Sequence, residues 1–244
     1  MPITLGGKRI MIPNLSSLPL FAGKTLTEPV LLSQQGFSND NYSFYADKER
    51  YLLRKFILQD RDRTLEYKVQ KLAYHHGLAA KPFYLDLEKD FMVCEYIEGK
   101  HKTDLSKAEI TLFSQQLQTL HSLKIDQSPL DLKTEFLTLT KELKEAFTYI
   151  DSTPSETVLC HNDLNPLNCI FSKERLTFID WEFTGMNDRY FDLASLSVEF
   201  QFSAGDEALM MKLYFANRKW DKEKLDAYKV IYKALCKQWF EENL

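Results

Sequence analysis

Acidic and amide side chains stand at short intervals in residues 158–183, "VLCHNDLNPLNCIFSKERLTFIDWEF". Four residues separate Asp163 from Asn168, and Asp180 directly follows the strand-like run "LTFI". Oxygen ligands of these two kinds suit a hard, hydrated Mg2+ ion. A further carboxylate in front of such an ion can accept a proton from an alcohol that attacks phosphorus. The pattern therefore indicates metal-assisted transfer of a phosphoryl group to a hydroxyl.

A β-hairpin would bring these groups together. Because Pro166 disfavours a helix between Asp163 and Asn168, this segment is predicted to be a loop. The runs "CIF" and "LTFID" are then antiparallel strands joined by the turn "SKER". The hairpin returns Asp180 towards Asn168, so both are predicted metal ligands, and Asp163 is the predicted catalytic base. We expect His161 to brace the loop through hydrogen bonds.

The elements around this segment change character near residue 100. Strand-like runs rich in aromatic and β-branched residues come first, interrupted by one helical stretch, "RTLEYKVQKLAYHHG". After "EYIEGKHKTD", apolar residues recur at three- and four-residue steps, as in "SKAEITLFSQQLQTLHSLK" and "DLKTEFLTLTKELKEAFTYI". We predict an α+β fold of two lobes. A small lobe of antiparallel sheet with one helix spans residues 1–97, and a larger, mostly helical lobe spans residues 98–244.

Composition limits the kinds of partner. The net charge of −4 and the lack of an arginine-rich tract argue against a nucleic-acid-binding surface. No apolar run approaches the roughly 20 residues that cross a membrane, and the N-terminal residues lack the apolar region of a signal peptide. Four scattered cysteines without a Cys-x-x-Cys pair predict reduced thiols and no structural zinc. The sequence predicts a cytoplasmic protein with a small-molecule partner.

The combined pattern His-x-Asp-Leu-x-x-x-Asn, followed by Ile-Asp-Trp-Glu, resembles the Brenner-motif kinases. These include the choline and ethanolamine kinases and the aminoglycoside phosphotransferases. The resemblance extends from about Leu31 to Trp239. It implies a protein-kinase-like fold, the cofactors ATP and Mg2+, and phosphoryl transfer to an alcohol.

The resemblance also implies a nucleotide-binding site. The segment "QQGFSNDNYSF" is similar to the phosphate-covering turn of bacterial choline kinases, with Gln35 in place of their first glycine. Arg54 stands where a basic residue holds the α- and β-phosphates, and Glu66 where a helix glutamate pairs with that residue. The backbone of residues 95–97 would bind adenine. The implied nucleotide-binding residues are Gly36, Ser38, Asn39, Asn41, Arg54, Glu66, Glu95 and Ile97.

An acceptor pocket is implied by two further segments. In "DWEFTGMNDRYFDLASLSVEF", Phe183 falls on an aromatic position of the choline pocket, and Glu199 falls on an acidic residue near the quaternary ammonium. In "LCKQWF", which resembles a tryptophan-x-x-tryptophan helix, Cys236 replaces the first tryptophan and Trp239 matches the second. Each cation–aromatic contact contributes about 0.5–2 kcal/mol. The favoured reaction converts choline to phosphocholine, with Asp163 also contacting the acceptor.

Other interpretations stay open for the activity. The acceptor could instead be ethanolamine, thiamine or an aminoglycoside, because the motif defines phosphoryl transfer better than the acceptor. A non-catalytic nucleotide-binding protein would be expected to lack Asp163 or a metal ligand, and all of them are present. A hydrolase would use Asp163 to activate water and would turn over ATP without an acceptor.

Several single residues also have alternative roles. Phe183 and Trp239 could be core residues, and Glu199 could have a buried partner instead of a ligand. Asp192 is expected to fix the catalytic loop rather than to touch substrate. Glu182 is interpreted as a group beside the metal ion, with a surface charge as the alternative.

Overall fold

The computed structural model describes residues 12–33, 36, 38–58, 60–88, 90–173, 175–216 and 218–243. Contacts within the chain divide it into two compact units. The first comprises Pro82–Tyr96 and the described residues up to Asp60, and the second comprises Arg61–Lys81 and the described residues from Ile97 onward. Each unit contains its own hydrophobic core. The lobe boundaries expected from the sequence, 1–97 and 98–244, stay a prediction.

The first unit is built on an antiparallel sheet of five strands in the order β1-β2-β3-β5-β4. Its strands are β1 (Val30–Leu31), β2 (Asn39–Ala46), β3 (Glu49–Phe56), β4 (Pro82–Leu85) and β5 (Phe91–Glu95). Side chains alternate between the two faces of a strand. Phe44 of β2 and Tyr51 and Leu53 of β3 therefore share one face, where they form a core with Phe21.

The second unit contains six helices and two pairs of short strands among its described residues. The helices are α1 (Arg63–His75), α2 (Lys107–Ser122), α3 (Lys141–Asp151), α4 (Arg189–Glu199), α5 (Ala204–Tyr214) and α6 (Lys222–Asn243). The strands are β6 (Thr157–Cys160), β7 (Cys169–Ser172), β8 (Arg175–Phe178) and β9 (Gly185–Asp188). β6 pairs with β9 and β7 pairs with β8, both antiparallel. The predicted hairpin "CIF"/"LTFID" is confirmed as β7–β8.

Local capping explains where the helices begin and end. The Asp62 side chain accepts hydrogen bonds from the backbone N–H groups of Thr64 and Leu65 at the start of α1. Gly77, after the end of α1, has a positive φ of 75°, which glycine adopts without steric cost. Ser106 and Glu109 form a capping box at the start of α2. The helices predicted from "RTLEYKVQKLAYHHG" and "SKAEITLFSQQLQTLHSLK" are confirmed.

The helical spacing of apolar residues in "DLKTEFLTLTKELKEAFTYI" corresponds to a helix only in its second half. Only a 3-10 turn, Leu132–Glu135, forms in the first half, and α3 begins at Lys141. The Thr140 hydroxyl accepts a hydrogen bond from the backbone N–H of Leu143, and this cap starts the helix.

Across the described residues, no helix combines the length and hydrophobicity that a membrane span requires.

Close packing at Gly99 generates a stability prediction. The backbone of Lys100 exchanges two hydrogen bonds of 2.9 Å with Phe171 of β7, and a Cβ at Gly99 would lie 2.7 Å from the Phe171 carbonyl oxygen. We expect Gly99→Ala to lower the free energy of unfolding by about 2 kcal/mol or more, because backbone must move. Urea unfolding measures this loss.

The matched control is Gly205→Ala near the start of α5. The nearest atom to a Cβ there is Ser203 Oγ at 3.7 Å, which is ordinary contact. Alanine at this helical position should leave stability unchanged or raise it by at most about 1 kcal/mol. Equal stability of the two variants would contradict the close-packing argument.

Candidate active site

A buried carboxylate holds the loop that follows β6. Asp192, in the first turn of α4, accepts hydrogen bonds of 2.8 Å from the backbone N–H groups of His161 and Asn162. Asn162 has a left-handed φ of 66°, which asparagine tolerates better than most residues. Its side chain donates to the Phe183 carbonyl and accepts from Asn187. The expected role of Asp192 in fixing this loop is therefore confirmed.

Asp163 and Asn168 lie in direct contact. The Asn168 side-chain amide donates to the Asp163 carboxylate at 2.6 Å and to the Asp163 carbonyl at 2.9 Å. The Asn165 amide donates to the other carboxylate oxygen at 3.1 Å. Burial and then the negative charge of Asp180 raise the pKa of Asp163 to about 7, against the effect of both amides. The site thus contains an oriented carboxyl group whose pKa lies near neutrality.

The segment between Asp163 and Asn168 differs from the loop that its sequence predicts. Pro166–Asn168 form one 3-10 turn, with proline at the first position, where its missing N–H removes no hydrogen bond. The Asn165 side chain accepts from the backbone N–H groups of Leu167 and Asn168 and caps this turn. The turn directs Asn168 back onto Asp163.

The β7–β8 hairpin places Asp180 beside Asn168. The backbone N–H of Ile179 donates to the Asn168 carbonyl at 3.0 Å, so the next residue, Asp180, follows directly. Asp180 has a left-handed φ of 63°. Because the Asn168 amide N–H groups face Asp163, the amide oxygen remains an acceptor, and no N–H or O–H of the described residues donates to it. This oxygen and the Asp180 carboxylate are the hard ligands that Mg2+ prefers.

His161 is buried and neutral at ordinary pH. Its ring lies 4.7 Å from the Trp181 ring, and its Nε2 bonds the Ile179 carbonyl at 3.0 Å. Burial lowers the pKa of His161 to about 4, although the charges of Asp192 and Glu66 and the Ile179 carbonyl oppose this effect. His161 braces the loop, as the sequence predicts.

Arg63 joins two carboxylates, a contact that the sequence did not indicate. Its Nη1 lies 2.8 Å from Glu66 and 3.0 Å from Glu182, and all three side chains are at most 3% exposed. Glu182 is thus paired with an arginine, where the sequence suggested a group beside the metal ion. The predicted pairing of Glu66 with Arg54 joins residues of the two units and stays a prediction.

Glu199 has a buried neighbour on α6. The Tyr232 hydroxyl donates to the Glu199 carboxylate at 3.0 Å. Burial raises the pKa of Glu199, and the Tyr232 hydrogen bond opposes this. One turn after Tyr232, burial raises the pKa of the Cys236 thiol to about 11, with further contributions from Glu199 and Asp163. These groups of α4 and α6 therefore share an electrostatic environment with Asp163. Sequence reasoning missed Tyr232.

The two predicted aromatic residues of the pocket have neighbours of their own. The Arg61 guanidinium lies over the Phe183 ring at 4.5 Å from its centroid, so this ring already contacts a cation. Trp239 is half-buried, and its ring meets Phe240 edge-on at 5.3 Å. The predicted roles of Phe183 and Trp239 in binding an acceptor stay predictions.

In the first unit, several predicted phosphate ligands lie together. Asn41 of β2 is directly opposite Arg54 of β3. With its amide oriented to satisfy both ends, Asn39 accepts from Arg54 at 2.9 Å and donates to the Ser38 carbonyl. Ser38, Asn39 and Arg54 are all buried. This end of the β2–β3 hairpin thus gathers small polar side chains around one arginine.

The remaining predicted nucleotide ligands are less constrained. Gly36 is exposed, and no described atom lies within 4 Å of a Cβ placed on it. Glu95 ends β5, and Ile97 follows it two residues later. The predicted effect of Gln35 falls outside the described residues. The predicted roles of Gly36, Glu95 and Ile97 in nucleotide binding stay predictions.

Solved kinase structures share this fold. Choline kinase LicA from Streptococcus pneumoniae matches with a TM-score of 0.73, at 24% identity, over 86% of this chain and 85% of that one. LicA in complex with AMP matches with a TM-score of 0.74, at 23% identity, over 90% of this chain and 84% of that one. The predicted kinase-like α+β fold is therefore confirmed.

The sequence comparison defines the family. The model of the choline/ethanolamine kinase family matches residues 49–228, and the chain belongs to this family. Protein LicA from Haemophilus influenzae is 28% identical over 166 residues, which are 58% of this chain and 62% of that protein. The chain thus spans less than two thirds of the length of this relative.

The buried, neutral His161 generates a prediction about pH and stability. Its pKa is about 4 in the folded protein and about 6.5 when unfolded, so the unfolded chain binds the proton first as pH falls. The free energy of unfolding is therefore highest above about pH 6.5 and falls as the pH decreases towards 4. We expect His161→Gln, which does not titrate, to lose about 3 kcal/mol less stability than the wild type over this window. Denaturant unfolding between pH 7 and 4 measures the difference.

The control is His75→Gln, at an exposed position at the end of α1. Its stability profile should follow that of the wild type over the same window. If His161→Gln also followed the wild-type profile, His161 would not be buried in its neutral form.

Proposed function

We propose that this protein transfers the γ-phosphate of ATP to the hydroxyl of a small alcohol, with choline as the favoured acceptor. One observation carries the proposal. Asp163 is oriented by Asn168 and Asn165 in a loop fixed by Asp192, and Asp180 lies close enough to raise its pKa. This arrangement suits a catalytic base beside a metal site.

In the proposed reaction, the acceptor hydroxyl gives its proton to the Asp163 carboxylate. A bond forms between the acceptor oxygen and the γ-phosphorus, and the bond from that phosphorus to ADP breaks. Asn168 and Asn165 hold the carboxylate in one orientation, so that less freedom is lost on reaching the transition state. Asn168 and Asp180 would hold Mg2+, which when bound neutralises charge on the phosphates.

ATP binding is assigned to the residues that gather at the end of the β2–β3 hairpin. The Arg54 guanidinium would bind phosphate oxygens, and its contact with Asn39 supports this role because it fixes the side chain in place. Ser38, Asn41 and Gly36 would contact the phosphates, Glu66 would pair with a basic residue, and the backbone at Glu95 and Ile97 would bind adenine. LicA, a similar protein, has been solved with AMP bound, which supports a nucleotide substrate here.

Choline is favoured as the acceptor for two reasons. A family defined by choline and ethanolamine kinases covers most of the chain. Glu199 supplies a carboxylate beside α6, where Trp239 supplies an aromatic ring, and a quaternary ammonium binds such groups. Phe183 would be the second aromatic residue of this pocket. The acceptor's cation would then compete with Arg61 for contact with the Phe183 ring.

Ethanolamine is the second candidate, and one observation favours it. The Tyr232 hydroxyl and the Cys236 thiol lie near Glu199, where the family resemblance expects an indole in place of the thiol. Hydroxyl and carboxylate oxygens accept hydrogen bonds from a primary ammonium, whereas a quaternary ammonium offers none.

We place the reaction in the cytoplasm, because all four cysteines are free thiols.

Loss of the base is the first test of this proposal. The purified chain is incubated with ATP, Mg2+ and, separately, choline, ethanolamine, thiamine or an aminoglycoside, and products are detected by mass spectrometry. We expect phosphocholine from the wild type and a rate at least about 100-fold lower from Asp163→Asn, because the amide cannot accept the proton.

Asp126→Asn is the matched control, since it changes an exposed aspartate and should retain full activity. A different phosphorylated acceptor would keep the role of Asp163 but overturn the choline assignment. Equal activity of Asp163→Asn and the wild type would overturn the assignment of the base.

Cys236 allows a test of the acceptor pocket that does not require turnover. It is partly exposed, whereas Cys94, Cys160 and Cys169 are at most 1% exposed. Iodoacetamide at pH 9 should therefore add one label, and the rate should increase as pH rises towards the thiol pKa of about 11. Saturating choline should slow labelling at least about 5-fold by covering the thiol.

Two controls accompany this measurement by intact mass. Cys236→Ser should abolish the single label. The uncharged alcohol 3,3-dimethylbutanol, which has the shape of choline, should protect much less, because Glu199 would attract only the cation. Protection by ethanolamine but not by choline would reverse their order, and protection by neither would place the acceptor elsewhere.

A further inference from the structure

Three side chains with metal-binding atoms meet behind the catalytic loop. Among the described residues, the ligand atoms of His121, Cys160 and Asp192 lie within 4.8 Å of one another, and all three are buried. Both carboxylate oxygens of Asp192 already accept backbone N–H groups, and both ring nitrogens of His121 have partners. Burial also raises the pKa of the Cys160 thiol well above its usual value. The cluster is therefore a hydrogen-bond network rather than a metal site.

The direction of each hydrogen bond in this network can be assigned. Arg189 donates to the Tyr214 hydroxyl oxygen at 3.2 Å, so the hydroxyl donates its own proton to His121 Nδ1 at 2.6 Å. His121 Nε2 then carries the ring proton and donates it to Asp192 at 3.1 Å. Burial acts to raise the pKa of Asp192, but the His121 hydrogen bond helps to lower it below its usual value. Asp192 is thus the acceptor of this hydrogen bond. Thus Nδ1 is an acceptor and Nε2 a donor, and Cys160 Sγ is a second, more distant neighbour of Nε2 at 3.9 Å.

A histidine at this place needs an explanation. It lies on α2 with Phe113, Leu117 and Leu120 in the buried set, and it is only 4% exposed. Burying a polar ring costs free energy unless both nitrogens are satisfied. An apolar residue would fill the space but could not donate to Asp192. The same Asp192 oxygen also accepts the His161 backbone N–H, two residues before Asp163.

We propose that His121 is a positioning residue for phosphoryl transfer, acting through Asp192 to fix the backbone of the loop that carries Asp163. Tyr214 holds the imidazole in the orientation that this requires. The inference rests on the proposed function in that Asp163 is taken as the base. Without the His121 donor, the Asp192 carboxylate can rotate, and the N–H groups of His161 and Asn162 lose their fixed acceptor.

Substitution of His121 by glutamine or by asparagine tests its two ring nitrogens separately, because each amide can replace only one of them. In His121→Gln, the side-chain nitrogen can occupy the position of Nε2 and donate to Asp192. In His121→Asn, the shorter side chain reaches only the position of Nδ1. We expect kcat to fall about 10- to 100-fold in His121→Asn and to stay within about 3-fold in His121→Gln, because a misplaced base is costly. KM for ATP and for the acceptor should stay within about 2-fold in both.

Tyr214→Phe tests the second link without disturbing ring packing. It keeps the edge-on contact with His121, whose ring centroids lie 5.5 Å apart, and removes only the hydroxyl. We expect kcat to fall about 3- to 10-fold. Tyr190→Phe is the matched control, because Tyr190 is equally buried and its hydroxyl bonds the Asp221 backbone N–H at 2.9 Å, away from the loop. It should lose similar stability and keep its kcat.

Amide hydrogen exchange at His161 and Asn162 gives a readout that needs no acceptor. Both N–H groups should exchange at least about 10-fold faster in His121→Asn and in Tyr214→Phe than in Tyr190→Phe, under conditions where all are folded. If the wild type phosphorylated nothing, the proposed function would fail while this measurement still decided the role of His121.

The contrary results are equally specific. Unchanged kcat and unchanged exchange in His121→Asn would overturn the proposal, and so would a His121→Gln variant as impaired as His121→Asn. If the His121 variants do not fold, Tyr214→Phe decides, and behaviour identical to Tyr190→Phe would overturn it.

Discussion

The geometry of the candidate active site depends on one buried carboxylate that binds backbone N–H groups. Asp192 accepts the N–H groups of His161 and Asn162, one on each oxygen. Charge-assisted hydrogen bonds of this kind are strong in the protein interior, where water cannot compete. They hold Asn162 in its left-handed conformation and set the direction in which the chain leaves β6 towards Asp163. Asn168, Asn165 and the β7–β8 hairpin then complete an arrangement whose starting point Asp192 has fixed.

This arrangement concentrates negative charge. Asp180 and, more weakly, Glu182 raise the pKa of Asp163, since like charges close together disfavour ionisation. Arg63 offsets one of them by pairing with Glu182. The remaining repulsion, between Asp163 and Asp180, is what a bound divalent cation would relieve, and this supports the proposed metal site beside Asp163.

Sequence reasoning succeeded where the signal was local. The β7–β8 hairpin, α1 and α2 follow from alternation, helical spacing and caps within a few residues, and the return of Asp180 towards Asn168 follows from the hairpin. It failed where the partner is distant. β9 pairs with β6, although "GMND" lacks a strand pattern of its own. Arg63 meets Glu182 across 119 positions, and His121 meets Asp192 across 71. No spacing rule connects such residues, because only the tertiary fold brings them together.

Helix α4 links the loop that carries Asp163 to Glu199, the carboxylate proposed to attract the acceptor's cation. Asp192 lies in its first turn and Glu199 is its last residue, seven positions later. Seven residues make almost two turns, so both side chains project from the same face about 10 Å apart along the axis. Because a helix of this kind does not stretch, the group that fixes Asp163 and the group proposed to attract the ammonium keep a constant separation. Tyr232, by bonding Glu199 from α6, restricts the carboxylate further. Under the proposed function, an acceptor that contacts Asp163 and Glu199 together must therefore carry its hydroxyl and its cation at one constant separation.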